Sequence, residues 1–370
     1  MLEIIKPKII DQSEFEKISK SNSITFVDAY KTQIEEIFQI NNPQIKKTSV
    51  EYNQKLGDFL LTQSIQSILI YYSYYNTVVK SVNEDYYYIL RTSRNKDIIS
   101  HEDQIKYRNS KIGIAGLSVG SAVVAALTIT GGPKNIKISD FDTVETTNLN
   151  RIRAKLIDIG KIKTEITARE VWDIDPFAEL ELWSNGLSNE NMLEFITQPK
   201  LDIFIDEFED IGLKIKSRII CRENRIPVLM ATDNGDNVLL DVERFDIEMN
   251  RPIFHGLIEE SEFKDLQKID FKTWLRLATK IVGPEYLPLN MQKSILNIGK
   301  TIPSVPQLGS TAMTAGGAIV YAARKIICNS NMPSGRYVIN LEEILNPDYN
   351  SDRNIESRKK STEDFKNKFL

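Results

Sequence analysis

The amino-acid sequence predicts an α/β protein: a mostly parallel sheet with helices on both faces, preceded by a small N-terminal α+β domain. Three observations carry this expectation. From residue 111 onward, short apolar runs alternate with helical patterns at a regular pitch, the signature of a parallel sheet covered on both sides. A glycine-rich turn joins the first of those runs to the first of those helices. The first 100 residues have a different texture, with short helical patterns and a hairpin signal in place of the alternation.

In chain order, a helix is expected from Asp11, with Glu14 three residues on forming a capping box. A second runs from Ala29 and Tyr30 to Ile37 and Phe38 and stops before Pro43. The segment ILIYYSYYNTVVKSV reads as a hairpin turning near Tyr75 and Asn76. Its tyrosines suit sheet packing or a ligand cage. KIGIAG is then a buried strand, 121–130 an apolar helix, IKISD a second strand, 163–173 a helix and LELWS a third strand. Residues 201–206 make a fourth strand, 213–223 a helix and 227–231 a fifth strand. After Arg244 the alternation fades. Residues 259–300 carry a charged helical pattern expected as an insertion or lid. LGSTAMTAGGAIVYAARKII is a helix rich in small residues, suited to close packing within one chain or between two copies. The domains expected are 1–100, 101–345 and a charged, solvated tail at 346–370.

Composition narrows the function classes. The 370 residues are 41% hydrophobic and 26% charged, with a formal net charge of -4. That is enough apolar material for two or three domains, and it argues for neither nucleic-acid binding nor disorder. No apolar run approaches the ~18 residues of a membrane span, and the start lacks the apolar core of a signal peptide, so a cytoplasmic protein is expected. Cys221 and Cys328 are far apart, with no Cys-x-x-Cys partner, which disfavours a disulfide framework and a structural zinc site. With two histidines, His101 and His255, mechanisms built on a histidine base have few candidates.

GIAGLSVGSA places Gly113, Gly116 and Gly120 between a strand and a helix. Glycine allows the backbone to approach phosphate closely, and the helix that follows aims free N–H groups at an anion. The strict G-x-G-x-x-G spacing is not met, because Ser118 and Ser121 stand near places where glycine is expected. Asp140 lies at the end of the second strand, 20 residues after Gly120, where an acid can accept hydrogen bonds from ribose hydroxyls. Together these make a Rossmann-like nucleotide site without distinguishing ATP from a nicotinamide cofactor.

The next segment, SDFDTVETTNLNRIRAKLIDIGKIKTEITARE, supplies that distinction. Its Asp140, Asp142, Val144, Asn148, Leu149, Arg151, Gly160 and Lys163 resemble the pattern of the ThiF/MoeB/ubiquitin-activating superfamily over roughly residues 90 to 245. The stretches GLSVGSA, NLNRIRA and LLDVERFD look most like a bacterial ThiF-family branch. The resemblance implies an ATP- and Mg²⁺-dependent adenylyltransferase in which a substrate carboxylate attacks the α-phosphorus. Asn148, Arg151 and Lys163 would hold phosphate oxygens, arginine as a fork and lysine as a point charge. Arg151 and Lys163 are expected to be exposed at the mouth of the site. In RTSRN, the resemblance makes Arg94 an arginine that reaches the phosphates of a neighbouring subunit in a homodimer. In IDEFED it puts Glu209, with Asp206, at the Mg²⁺ site where relatives carry Asp-x-x-Asp; glutamate is longer and displaces the ion. Neither cysteine suits a thioester, so the activated acyl group would pass to a partner's sulfur, an amine or an internal nucleophile. The substrate would be a carboxylate-bearing peptide, carrier protein or small molecule, with no nucleic acid and no membrane as partner. Two other readings stand beside this one: a non-catalytic nucleotide-binding scaffold subunit, and an NAD(P)-dependent oxidoreductase.

Overall fold

The computed structural model describes residues 5–21, 23–258 and 271–369. The chain divides into two compact units. One comprises residues 1–105 with 128–131 and 169–178; the other holds the rest.

The first unit is an α+β module. Its elements are β1 (Lys8–Ile10), α1 (Gln12–Ser21), β2 (Thr25–Asp28), α2 (Tyr30–Asn41), α3 (Val50–Thr62), β3 (Ser67–Tyr72), β4 (Thr77–Val82) and α4 (Glu84–Thr92). The capping box forms as the sequence indicates: the Glu14 amide donates to Asp11 Oδ1 at 2.8 Å, and the Asp11 amide donates to Glu14 Oε2 at 3.1 Å. Among the described residues the four strands are ordered β1-β3-β4-β2. Strands β3 and β4 form the expected hairpin, and Asn76 closes its turn at φ 49°. Val82, Ile34 and Ile37 are buried together, with Tyr86, Tyr87 and Leu90 packed against them. The tyrosines pack edge to face, with Tyr74 and Tyr75 ring centroids 4.7 Å apart. Their hydroxyls donate to the two oxygens of Asp173 at 3.0 and 2.8 Å. Tyr72, Tyr75 and Tyr87 also line a cleft of about 540 Å³.

The second unit contains the expected α/β sheet. After α5 (His101–Asn109) come β5 (Lys111–Ala115), α6 (Val119–Ile129), β6 (Asn135–Ser139), α7 (Lys163–Ile174), β7 (Glu179–Trp183), α8 (Met192–Thr197), β8 (Ile203–Asp206), α9 (Ile211–Glu223), β9 (Val228–Asn234) and β10 (Asn237–Glu243). The chain continues through α10 (Phe271–Val282), α11 (Leu289–Ile295), α12 (Gly309–Ile327), β11 (Gly335–Asn340), α13 (Leu341–Leu345) and α14 (Asp352–Phe369). Among the described residues the sheet runs β11-β10-β9-β8-β5-β6-β7. Strands β9, β8, β5, β6 and β7 are parallel, whereas β10 and β11 are antiparallel additions on the β9 side. The strand register pairs Ala115 with both Ser139 and Asp206, so the carboxyl ends of β5, β6 and β8 share one edge. In open parallel sheets, ligands bind at that edge.

The core on one face is a cluster of Phe195, Phe204, Ile215, Met230, Phe245 and Phe254 with their neighbours. Lodged in it is a wholly buried arginine. Arg218 on α9 donates to Asp206 on β8, and its Nε donates to Glu243 Oε2 on β10 at 2.6 Å. Its guanidinium lies 3.9 Å from the Phe254 ring centroid. Lys214 adds a second cation, 2.8 Å from Asp206 Oδ1. Buried charges persist only when paired and hydrogen-bonded, and here both acids meet that condition.

The small-residue helix packs within its own unit. A Cβ at Gly316 would come within 2.8 Å of the Ala122 backbone, and one at Gly309 would overlap the Asn150 carbonyl oxygen. α12 is therefore pressed onto α6 and onto the loop that carries Asn150. The charged tail also differs from a free, solvated helix. Phe365 on α14 is 2% exposed and packs with Leu287 and Met291, while Thr362 and Ser361 bond to the Gln292 side chain. One buried apolar residue and two hydroxyls thus help seat a helix that is otherwise largely charged. Of the segment expected as an insertion or lid, residues 259–270 lie outside the described residues, and Leu277 and Ile281 of α10 are buried in the core.

The arginine gives a direct stability prediction. Arg218→Met leaves the buried Glu243 without its cation and Asp206 with Lys214 alone, and breaking a buried pair typically costs about 3–5 kcal/mol. The urea midpoint should fall accordingly, and a loss near zero would mean that Asp206 and Glu243 are satisfied by other groups.

Candidate active site at the carboxyl edge of the sheet

The glycine turn is held in shape by the acid that follows it. Gly116 has φ +92°, and a Cβ there would overlap the backbone of Glu207 and Phe208; glycine alone meets both demands. The Gly116 amide donates to Ser139 O at 2.8 Å. Asp140 then accepts from the Leu117 amide through Oδ2 at 2.7 Å and from the Asp142 amide through Oδ1 at 2.8 Å. It is 9% exposed, and burial raises its pKa, partly offset by Lys163 and the two amides. Asp140 thus braces the turn, and its remaining lone pairs are free for ribose hydroxyls. Ser118 and Gly120 fall at the start of α6, where unpaired helix N–H groups favour an anion.

Arg151 is bound to that turn. Its Nε donates to Ser118 Oγ at 2.8 Å, and Nη1 donates to Thr147 O at 3.2 Å and Asn150 Oδ1 at 3.0 Å. Nη2 makes no hydrogen bond among the described residues, so one prong of the fork is free beside the turn. Lys163 begins α7. It is not exposed at the mouth as the sequence suggested: it is 6% exposed, with Nζ 2.7 Å from Asp142 Oδ2 and 3.8 Å from Asp140 Oδ2. The fold brings its ammonium inward because two acids at the end of β6 supply its counter-charge. Asn148 is buried, and its side-chain oxygen accepts from the Glu145 amide at 3.0 Å, shaping the turn that delivers Arg151.

The two acids expected at a metal lie in different surroundings. Both oxygens of Asp206 are taken by Lys214 and Arg218, because the residue is the last of β8 and faces the buried arginine. Glu209, three residues on, is exposed. Between them Glu207 turns back under the glycine turn and accepts from the Ala231 amide at 2.9 Å; burial raises its pKa well above the usual carboxyl range. Arg94 belongs to the other unit, in a short 3₁₀ turn, where it is exposed.

Sequence reasoning missed two residues here. Gln307, just before α12, lies 3.5 Å from Ser118 Oγ and donates through Nε2 to Asp233 Oδ1 at 3.3 Å. Asp233 stands near the end of β9, 8% exposed, and its Oδ2 is buried with no hydrogen-bond partner. Burial pushes its pKa up to about 6; Gln307, a backbone amide and Arg151 pull it down, and Glu209 pushes it further up. The available signal was an acid at the carboxyl end of a parallel strand, hidden because the expected strand stopped at Ala231. Among the described residues no three His, Cys, Asp or Glu side chains converge as a metal cage. An exposed Glu209 beside a carboxylate with an unsatisfied oxygen nevertheless fits Mg²⁺, which is held by one or two carboxylates plus phosphate oxygens and water. Cys221 is wholly buried and its thiol pKa is pushed up by burial, the opposite of a nucleophile's environment.

Comparison with known proteins agrees with this architecture. The ThiF family model matches residues 91–363, and the chain belongs to the ThiF family. It is 31% identical over 275 residues to the uncharacterized protein MT1398 of Mycobacterium tuberculosis (strain CDC 1551 / Oshkosh), an alignment covering 74% of this chain and 38% of that protein. It is 33% identical over 119 residues to the tRNA threonylcarbamoyladenosine dehydratase of Haemophilus influenzae, covering 32% of this chain and 44% of the relative. Against the molybdopterin-synthase adenylyltransferase of the same organism it is 26% identical over 165 residues, covering 43% and 64%. The chain thus spans less than half the length of the first two of these relatives. Among the described residues no helix is long and apolar enough to cross a membrane.

Asp233 yields a pH prediction. Its pKa is about 6 in the folded chain against an ordinary value of 3.8, so the native state holds the proton more tightly than the unfolded state. Stability should therefore fall as pH rises from about 4 to about 6, and the cost, up to about 3 kcal/mol, is present in full above that range. Asp233→Asn should remove it: urea unfolding should find the variant equal to wild type near pH 4 and more stable near pH 8. Equal stability at both pH values would place Asp233 in a polar, solvated environment.

Proposed function

We propose that this chain is an ATP- and Mg²⁺-dependent adenylyltransferase that activates a substrate carboxylate as an acyl-adenylate, without an enzyme thioester. The observation that carries the reading is Arg151 bound to Ser118 at the glycine turn with Nη2 free, beside Asp140, which braces the same turn. A nicotinamide site does not call for a cation anchored to its phosphate turn. Membership of the ThiF family supports the reading, as does a relative named as an adenylyltransferase.

In this scheme a substrate carboxylate oxygen attacks the α-phosphorus of ATP. The bond from that phosphorus to its bridging oxygen breaks, and pyrophosphate leaves with the electron pair. No protein nucleophile is needed; the task is positioning and neutralising charge. Gly116, Ser118 and Gly120 bring backbone and the α6 N-terminus to the phosphates. Arg151 offers its free prong to the oxygens that gain charge. Lys163, held by Asp142 and Asp140, supplies a fixed positive charge that needs little reorganisation. Asn148 positions Arg151 by shaping its turn. Mg²⁺, when bound, would neutralise phosphate charge, and Glu209 would hold it. The site carries more carboxylates than cations, so a tetra-anionic nucleotide needs positive charge from outside. Arg94 from a second copy of the chain would be a further source, which makes a homodimer the working form. The acyl substrate is a peptide, carrier protein or small molecule bearing a carboxylate.

ATP–pyrophosphate exchange with Mg²⁺ and candidate carboxylates tests the proposal. Carboxylate-dependent exchange is expected; ATP binding without any exchange would favour the scaffold reading, with Lys163 locked to Asp142 as its structural basis. Arg151→Ala should reduce exchange by about 10²-fold or more with the circular dichroism unchanged. Lys163→Ala should do the same at some expense of stability, since it leaves Asp140 buried without its cation. Full turnover in either variant would remove that residue from phosphate binding. Mixing inactive Arg94→Ala with inactive Lys163→Ala should restore part of the exchange, because hybrid dimers regain one intact site. No recovery from a mixture verified to form hybrid dimers would exclude the contribution in trans.

A further inference from the structure

Asp233 has no role in the scheme so far, yet among the described residues it alone is a carboxylate with a buried oxygen that lacks a hydrogen-bond partner. Its carboxylate meets neutral donors only, its own backbone amide and the Gln307 amide at 3.3 Å from Oδ1, and its Oδ2 has no hydrogen-bond partner while 92% of the residue is buried. Leaving a buried acceptor unsatisfied is costly, and fully so for a charged one. The nearby Arg151 guanidinium eases the charge of Asp233 but bonds to Ser118, Thr147 and Asn150 and not to Asp233. A triphosphate placed at the Ser118 turn would bring more negative charge toward Asp233. A buried carboxylate can stand beside phosphates only if a cation or a proton stands between them.

The segment after β8 supplies the second carboxylate. β8 and β9 pair in parallel as far as Ile205 and Leu229; Glu209 lies three residues beyond the end of β8, and Asp233 is next to last on β9. The negative charge of Glu209 acts on Asp233. The side chain that the sequence resemblance assigns to a metal and the side chain with the unsatisfied oxygen therefore belong to the same carboxyl edge, near enough for one charge to act on the other.

We infer that Asp233 is a direct ligand of the divalent cation that accompanies the nucleotide, with Glu209 as its second carboxylate. Oδ2 faces the cation while Gln307, braced against Ser118, holds Oδ1 and fixes the carboxylate plane, as partners outside the coordination sphere commonly do. Asp233 on β9 thereby takes over what the longer Glu209 reaches poorly and what Asp206, spent on Lys214 and Arg218, cannot supply. This rests on the adenylation reading for the identity of the nucleotide, but not for the ligand itself.

The test is metal binding by the full chain, read by the loss of the free Mn²⁺ electron paramagnetic resonance signal, with and without α,β-methylene-ATP. Binding of the analogue in EDTA is measured in parallel by calorimetry. Asp233→Asn should weaken Mn²⁺ binding in the ternary complex by about tenfold or more and leave metal-free analogue binding unchanged or tighter. A ligand must also impose its own metal preference, whereas a mere nearby charge does not. Asp233→Cys should bind Cd²⁺ in preference to Mn²⁺, with an ultraviolet thiolate-to-cadmium band absent from wild type. Wild-type Mn²⁺ affinity in Asp233→Asn beside normal analogue binding overturns the assignment alone, as does weakening confined to Glu209→Gln. Mn²⁺ held through Asp233 by a chain that binds no nucleotide overturns the adenylation reading alone. A wild-type chain that binds neither overturns both.

Discussion

Arg218 occupies the middle of the larger unit with no access to solvent, and the site is assembled around it. The guanidinium spans Asp206 at the end of β8 and Glu243 on β10, and it stacks on Phe254. Holding Asp206 fixes the residue after it. The Glu207 backbone then lies where only a glycine can face it, and Gly116 does so with φ +92°. The glycine turn, the start of α6 and the Ser118–Arg151 contact follow from that approach. A charge network buried in the core thus sets the geometry of a loop at the surface, because the two are joined by covalent chain and close backbone packing.

The same edge of the sheet separates acids that look alike in sequence into different roles. Asp206 is structural because cations enclose it. Asp140 is a brace with lone pairs to spare. Glu207 is bound to the Ala231 amide beneath the turn. Glu209 is open to solvent, and Asp233 is enclosed with one oxygen unanswered. Each difference comes from what the neighbouring strand or helix presents, and each changes what the carboxylate can do toward a cation or a phosphate.

Much of this was legible in the chain. The parallel strands announced themselves through alternation with helices, and the glycine turn, Asp140 and Arg151 through spacing from one another. The antiparallel strands β10 and β11 did not, since β10 follows β9 through a tight turn and β11 returns from nearly 100 residues away. The seating of α14 was equally hidden: Phe365, Thr362 and Ser361 form no periodic stripe, and Gln292 and Met291 lie about 70 residues earlier. The buried state of Lys163 could not be inferred because a lysine on a helix reads as solvated unless its partners are known. Two aspartates, 21 and 23 residues upstream, supply them.

By itself the sequence determined the class of fold, the family and the position of the glycine turn, because local periodicity and residue spacing are carried along the chain. The tertiary structure decided which acids are free, which cations are already paired, and that Gln307 links Asp233 to the glycine turn. Those properties depend on burial and on partners brought together by the sheet. The charge and hydrogen-bonding capacity of a side chain are set by what surrounds it in space, and residues from β5, β6, β8, β9 and the approach to α12 meet only once the sheet has formed.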